Sequence, residues 1–286
     1  MKNVLLNPNP SRDIDLECTK KVVSFFKERG INVYISNEAD EYDISGAIRC
    51  DLSEAALFAD IIISFGGDGT LLHTASQVAH LGVPILGINI GRIGYMAELE
   101  SNELCYLENI IEGSYSVEER MMIDVSVRRD DEIVFSASAL NDAVINKSGL
   151  VWIVDMDIYA DNTFISRYSG DGVIIATPTG STAYSLSAGG PIIDPIARNI
   201  TITPICTHAL AAKPIVLSEK RVINVLPQNI QNGAIVVSVD GANGFELVRG
   251  DSLEIKLSEN VTKLIHVKNT NFYDVLYSKL SDRRFD

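Results

Sequence analysis

The sequence predicts an α/β fold joined to a β-rich one. It comprises an N-terminal doubly wound α/β domain (residues 1–113), a C-terminal β-sandwich-like domain (114–255) and a tail (256–286) that packs back on the first domain. Three observations predict this. Strand-like and helix-like segments alternate through the first third, as in a mostly parallel sheet with helices on its faces. From Ser114 onward the chain turns to β-branched runs separated by short polar turns, the pattern of hairpins. The apolar run "DIIISF" (60–65) stops at "GGDGT" (66–70) before a helix-like pattern begins, as at the carboxyl edge of an open α/β sheet.

Taken in order, "KNVLLN" (2–7) reads as a strand. Residues 14–29 carry Leu16, Val22, Val23, Phe25 and Phe26 at helical spacing and stop at Gly30, a C-terminal cap. "INVYIS" (31–36) is a second strand. In "DLSEAALFA" (51–59), Asp51 and Glu54 stand as an approximate capping box for a short helix. The strand "DIIISF" is followed by a helix, "LLHTASQVAHLG", ending near Gly82, and by the strand "VPILGINI" (83–90). "SNELCYLENIIEG" (101–113) predicts a helix with Ser101 as its N-cap. Further on, the residues around Arg129–Asp131, Asp161–Asn162 and Gly241–Asn243 predict hairpin turns. The last stretch predicts a short helix that buries Phe272, Tyr273, Val275 and Leu276.

Composition bounds the function. With 46% apolar and 22% charged residues the chain can bury a core, and no apolar run reaches the length of a membrane span. Val4–Leu6 is too short an apolar stretch for a signal peptide. Cys18, Cys50, Cys105 and Cys206 lie far apart without a C-x-x-C pair, which predicts free thiols in the cytoplasm rather than a disulfide framework or zinc site. A net charge of −14 argues against nucleic acid as a partner. A small phosphorylated ligand stays open, because loop amides, helix N-termini and a bound cation can hold phosphates without a basic surface.

The glycine turn carries the first chemical signal. Gly66, Gly67 and Gly69 allow positive φ and close approach to a ligand, with amides facing outward at a helix N-terminus. Asp68 would repel a phosphate there unless it holds Mg²⁺ or accepts a proton from a hydroxyl that attacks a phosphoryl group. The plainer alternative is a helix N-cap. There is no G-K-[ST], no protein-kinase catalytic loop, and "GINIGRIG" (87–94) has the wrong spacing for a dehydrogenase fingerprint.

A second glycine-rich stretch, "SGDGVIIATPTGSTAYSLSAGGP" (169–191), offers hydroxyls at Thr177, Thr179, Ser181, Thr182, Ser185 and Ser187. Its plain reading is a strand-to-helix crossover with Tyr184 and Leu186 in the core. His80, His208 and His266 follow no metal-ligand spacing; Cys206 and His208 read as sharing a strand face, and Trp152 as core or interface.

"GGDGT" (66–70), "GINIGRIGYMAEL" (87–99), "LNDAVI" (140–145), "GDGVIIATPTGSTAYSLSAGGPI" (170–192) and "ITPICTHAL" (202–210) resemble, in order and spacing, the motifs of the NAD kinase family. The resemblance runs the length of the chain. It implies transfer of phosphate from ATP to the 2′-hydroxyl of the adenosine ribose of NAD, with a divalent metal, Mg²⁺, as cofactor. It also implies a homo-oligomer, tetramer or dimer, and no membrane partner. Carried onto this sequence, Asp68 is the proton acceptor, Gly66, Gly67, Gly69 and Thr70 hold ATP phosphates, Gly69 also lies against the dinucleotide, and His73 sits near the phosphates. Tyr95 packs on the adenine, Asn141 and Asp142 hold the adenosine ribose, and Asp171 meets the nicotinamide side. Thr182, Ala183, Tyr184, Ser185, Leu186 and Ser187 line the pocket. The chain departs from the family pattern at Ser169, where many members carry Arg, at Trp152, and at "DGAN" (240–243). The rival readings are a lipid or sugar kinase sharing the GGDG turn and a non-catalytic dinucleotide-binding protein.

Overall fold

The structure, a computed structural model, describes residues 1–39, 41–42, 44–91, 94–148, 153–208, 212–228, 230 and 235–282. Trp152, Arg283 and Arg284 lie outside the described residues. In chain order the elements are β1 (Asn3–Pro8), α1 (Glu17–Lys27), β2 (Asn32–Ser36), β3 (Ile48–Cys50), α2 (Leu52–Ala56), β4 (Ile61–Gly66), α3 (Asp68–Val78), β5 (Ile85–Asn89), β6 (Leu99–Glu100) and α4 (Leu107–Glu112). There follow β7 (Ser116–Arg129), β8 (Glu132–Ala139), β9 (Asp142–Lys147), β10 (Val154–Ala160), β11 (Thr163–Gly170), β12 (Gly172–Ala176) and α5 (Tyr184–Ser187). The chain continues through β13 (Asn199–Ile205), β14 (Ile215–Ser218), β15 (Ile223–Gln228), β16 (Ile235–Val239), β17 (Phe245–Leu247), β18 (Ser252–His266) and α6 (Phe272–Asp282). Two compact units result: residues 1–119 with 261–286, and residues 120–260.

In the first unit the strands run in the order β3-β2-β1-β4-β5, all parallel. Every residue of β4 is buried, which is why it reads as a continuous apolar run rather than an alternating one. Val4 and Leu6 of β1 pack with Val22 and Phe26 of α1, and with Ile110 of α4. Asn7, the next residue along, points to the opposite face, where its amide donates to the hydroxyl of Thr74 in α3 at 2.9 Å. Helices after β1 and after β4 therefore cover opposite faces, and the sheet is doubly wound. Its strand order reverses between β1 and β4, so a crevice opens beyond their carboxyl ends.

Local details differ from the sequence-based expectation. The first helix begins at Glu17 rather than residue 14, because Asp15 and Leu16 adopt positive φ (52° and 53°). Its cap is Asp13, whose carboxylate accepts the N–H of Cys18 (3.0 Å) and of Thr19 (2.9 Å) and the Thr19 hydroxyl (2.7 Å). Ser101 caps nothing. A 3-10 turn from Leu104 precedes α4, and Glu103 accepts the Glu100 N–H at 2.9 Å and pairs with Lys268 at 2.7 Å. Of the four residues expected to be buried in α6, Leu276 is buried, Phe272 and Val275 are half-buried and Tyr273 is exposed.

The second unit packs two sheets around one core. One has the order β14-β13-β12-β9-β16-β17; the other includes β11-β10-β15-β18, and β7 and β8 form an antiparallel hairpin. Ile123, Val125, Met156, Ile158, Ile145, Val173, Ile175 and Leu253 meet in the core. The tight turns lie at Asp130–Asp131, Asp161–Asn162 and Asp240–Gly241, all with positive φ, a conformation that short polar side chains and glycine tolerate.

Asp13→Ala removes the acceptor of two helix-end amides and a buried hydroxyl. It should cost about 1–2 kcal/mol, read from the midpoint of urea unfolding at unchanged slope.

Candidate active site

The first set of candidate residues gathers at the carboxyl ends of β1 and β4. Gly67, not Asp68, takes the N-cap position of α3, so Asp68 is the first helical residue and its carboxylate is not the cap. Both of its oxygens turn instead to the loop after β5. Oδ2 accepts the N–H of Tyr95 at 2.6 Å and Oδ1 that of Met96 at 3.0 Å. Gly94 makes this approach possible, since a Cβ there would stand 2.1 Å from Oδ1. A carboxylate has about four lone-pair sites, so two remain for a hydroxyl. Of the three turn glycines only Gly66 takes positive φ (153°); a Cβ at Gly67 or Gly69 would meet nothing, and those two leave open space instead.

Beside this turn lies a cleft of about 210 Å³ lined by Asn7, Pro8, Asn9, Pro10, Glu38, Gly69, Thr70 and His73. It occupies the crevice where the strand order reverses. The Asn9 amide donates to the Thr70 hydroxyl at 3.0 Å and so ties the loop after β1 to the start of α3. The first amides of the 11-residue helix α3 have no acceptor within it and carry the positive end of its dipole, which suits an anion. His73 is exposed, with its ring against the Gln77 amide at 3.1 Å. Asn7, Asn9 and Glu38 were not foreseen; the signal was "NPNP" (7–10), two asparagines and two prolines at the end of a strand.

Among the described residues no three His, Cys, Asp or Glu side chains converge on a position for a divalent metal. No all-protein cage is present, and no residue is assigned as a metal ligand.

In the second unit, Asn141 and Asp142 open β9. Three consecutive amides converge on Asp240 there: Leu140 N–H donates to Oδ2 at 2.7 Å, and Asn141 and Asp142 N–H to Oδ1 at 2.8 and 3.0 Å. The Asn141 carbonyl accepts the Thr177 N–H at 2.9 Å, and Gly180 lies so close that a Cβ would stand 2.1 Å from that carbonyl oxygen. Asn141 is only 8% exposed, yet its side-chain oxygen has no partner among the described residues. A buried acceptor left open in this way is costly unless a ligand supplies the donor. Asp142 is buried, and its carboxyl is pushed up to about 7, first by desolvation and then by the Asp240 carboxylate. Asp240 was noted in the sequence only as part of a departure; its role as the anchor of this corner was missed.

The ATP-NAD kinase N-terminal domain family matches residues 4–115 and the ATP-NAD kinase C-terminal domain family residues 140–267. An NAD kinase of Thermoanaerobacter sp. (strain X514) is 41% identical over 99% of this chain and 100% of its own. One of Natranaerobius thermophilus is 38% identical over 98% of each. The chain belongs to the NAD kinase family. Its fold is also that of yeast NADH kinase solved with NADH (TM-score 0.88, 24% identity, covering 100% of this chain and 89% of that one).

Within this NAD kinase fold, the remaining family positions take varied settings. Asp171 pairs with Lys147 at 2.6 Å. Thr182 is buried and Ala183 half-buried, Tyr184 is exposed, Leu186 half-buried and Ser187 exposed. The plain reading that put Tyr184 and Leu186 in the core is thus overturned. The turn at 179–182 is 3-10 and α5 has only four residues, too short to bury a face. Five of the six hydroxyls have protein partners: Thr177 with the Leu140 carbonyl, Thr179 with Arg120, Ser181 with the Pro178 carbonyl, Thr182 with the Thr179 carbonyl and Ser185 with Thr203. Cys206 and His208 do not share a strand face, since β13 ends at Ile205 and Cys206 has φ 44°.

Gly94→Ala should drive Asp68 off the Tyr95 and Met96 amides, so turnover should fall about 100-fold or more while the melting temperature drops only a few degrees. Steady-state kinetics beside thermal melting checks this. The folded chain holds a proton on Asp142 at a pH where the unfolded chain has released it, so stability should decline as pH rises from about 4 to about 7. Asp142→Asn, neutral throughout, should flatten that decline in melts across the window.

Proposed function

We propose that this chain transfers the terminal phosphoryl group of ATP to the 2′-hydroxyl of the adenosine ribose of NAD, giving NADP, with Asp68 receiving the hydroxyl's proton. Family membership makes the chain an enzyme that phosphorylates NAD with ATP. The observation that carries the finer reading is the Asp68 carboxylate, pinned by two amides at the end of β4 with acceptor capacity left over.

In this reading the triphosphate lies along the open turn of Gly66, Gly67, Gly69 and Thr70, with His73 beside it, and the donor's remainder takes the cleft at Asn9 and Glu38. An NAD kinase from Archaeoglobus fulgidus has been solved with ATP, at 24% identity and TM-score 0.74. Tyr95 packs on the adenine of NAD, the open oxygen of Asn141 together with Asp142 takes the adenosine ribose, Asp171 meets the nicotinamide side, and Thr182 to Ser187 border the dinucleotide. A divalent metal entering with the ATP would neutralise charge across the phosphates.

Most of the rate then comes from positioning and from fixed dipoles. A ribose hydroxyl is a very weak acid, so Asp68 does not strip its proton before attack. It orients the hydroxyl and takes the proton late, as bonding to phosphorus develops. The same reading places the enzyme in the cytoplasm, in keeping with its four free cysteines, and as a homo-oligomer, dimer or tetramer. No helix among the described residues is long and apolar enough to cross a membrane.

Asp68→Asn should leave the NAD dissociation constant within about twofold while lowering turnover by about 10²- to 10⁴-fold. Calorimetric binding and an NADP-forming assay test this together. Undiminished turnover would mean that Asp68 only braces the loop.

A further inference from the structure

The segment that holds Asp68 is itself held two residues further on. Glu98 follows Tyr95 and Met96, and its main-chain N–H donates to the Gly87 carbonyl at 3.0 Å. One carboxylate oxygen of Glu98 accepts the N–H groups of Val267 (2.9 Å) and Lys268 (2.8 Å). The other lies 2.9 Å from His266 Nδ1. The opposite ring nitrogen, Nε2, lies 3.3 Å from Glu118 in β7. The Glu98 side chain is only 9% exposed, so this carboxylate is poorly served by water and depends on these donors.

A neutral imidazole has one donor and one acceptor nitrogen, so it would aim a lone pair at one of the two carboxylates. Only the imidazolium suits both, as a hydrogen-bond donor to Glu98 and as a positive charge 3.3 Å from Glu118. Hydrogen bonding to Glu118 and then to Glu98 accordingly pushes the His266 pKa up to about 9, against the opposing effect of burial. The nearby lysine, Lys268, directs its ammonium to Glu103 at 2.7 Å rather than to this ring.

We propose that Glu98 and His266 are positioning residues for Asp68, holding the Gly94–Glu98 segment so that the Tyr95 and Met96 amides keep the catalytic carboxylate in place. The proposal rests on Asp68 being the group that meets the ribose hydroxyl. Once His266 loses its proton, Glu98 and Glu118 face a ring that can satisfy only one of them. The Glu98 end of the segment loosens, and Asp68 loses the geometry of its amide contacts although neither amide titrates.

The test compares turnover against pH for wild type, His266→Gln, Glu118→Gln and Lys268→Met, at saturating NAD and ATP, with melting temperatures taken at each pH. In wild type, kcat should fall on the alkaline side with a midpoint near 9, with KM for ATP unchanged. His266→Gln should lose that limb and run at about 10- to 100-fold lower kcat throughout. Glu118→Gln keeps the Glu98–His266 contact but removes one of the two carboxylates that support the proton, so the midpoint should move to lower pH. Lys268→Met should keep the wild-type limb. A folded His266→Gln enzyme with wild-type kcat and limb would overturn the proposal, as would an unmoved midpoint in Glu118→Gln or a limb that vanishes in Lys268→Met. Asp68→Asn separates the two levels. If it turns over normally, the role of Asp68 fails; if it is inactive while His266→Gln is unaffected, only the positioning pair fails.

Discussion

The contact on which the geometry of the first unit's candidate site depends is the pair of main-chain N–H groups, of Tyr95 and Met96, donated to the Asp68 carboxylate. A carboxylate placed among glycines at a helix N-terminus would otherwise have two poor choices. It could fold back to cap its own helix, filling the amides a phosphate needs, or swing freely into the anion site. Binding to amides 27 and 28 residues away prevents both. The Asp68 and Gly69 amides that begin α3 stay available, while those of Thr70 and Leu71 donate to the Gly67 carbonyl, and the carboxylate faces a fixed direction. The constraint reaches back into the sequence: Gly94 has to lack a side chain because Asp68 occupies that space.

The second unit solves a similar problem with the same kind of contact. Asp240 gathers three successive amides at the start of β9, and this turns the corner that sets out Asn141 and Asp142. The Thr177–Gly180 turn closes over the Asn141 backbone from the other side. With its backbone fixed on both sides, Asn141 keeps a buried side-chain oxygen open. Placing Asp142 beside Asp240 is unfavourable for two carboxyls and raises the proton affinity of Asp142. A raised proton affinity of that sort, beside an open buried acceptor, supports the role proposed for this corner.

Much of this was legible in the sequence, in proportion to how local its cause is. The buried strand before the glycine turn, the Asp51 cap and the paired polar residues at 130–131 and 161–162 each follow from a few neighbouring residues. Asp13 escaped because it caps from outside, across a left-handed Asp15–Leu16 step that no periodicity reveals. Ser101 was favoured for its hydroxyl, but the chain stays in turns until Leu104 and Glu103 is drawn to Lys268, 165 residues away. The outward face of Tyr273 was likewise invisible, since spacing shows which residues share a helix face and not how much of it another element covers. For the candidate site, Asp68, Asn141 and Asp142 were readable by type and motif. Their partners at Tyr95, Met96 and Asp240 were not, because main-chain donors leave no trace in residue identity.

That the partners of Asp68 are amides rather than a lysine or arginine bears on the chemistry. A cation against the carboxylate would compete for the donor's phosphates and take up the lone pairs a hydroxyl needs. Amides hold the group without adding a net charge, and the donors themselves do not titrate. The charged contacts stand one step back, at Glu98 and His266, where an ion pair can brace the loop without touching phosphate. In a chain of net charge −14, backbone dipoles at this turn offer an anion a favourable end, and the compensated charges stay behind them.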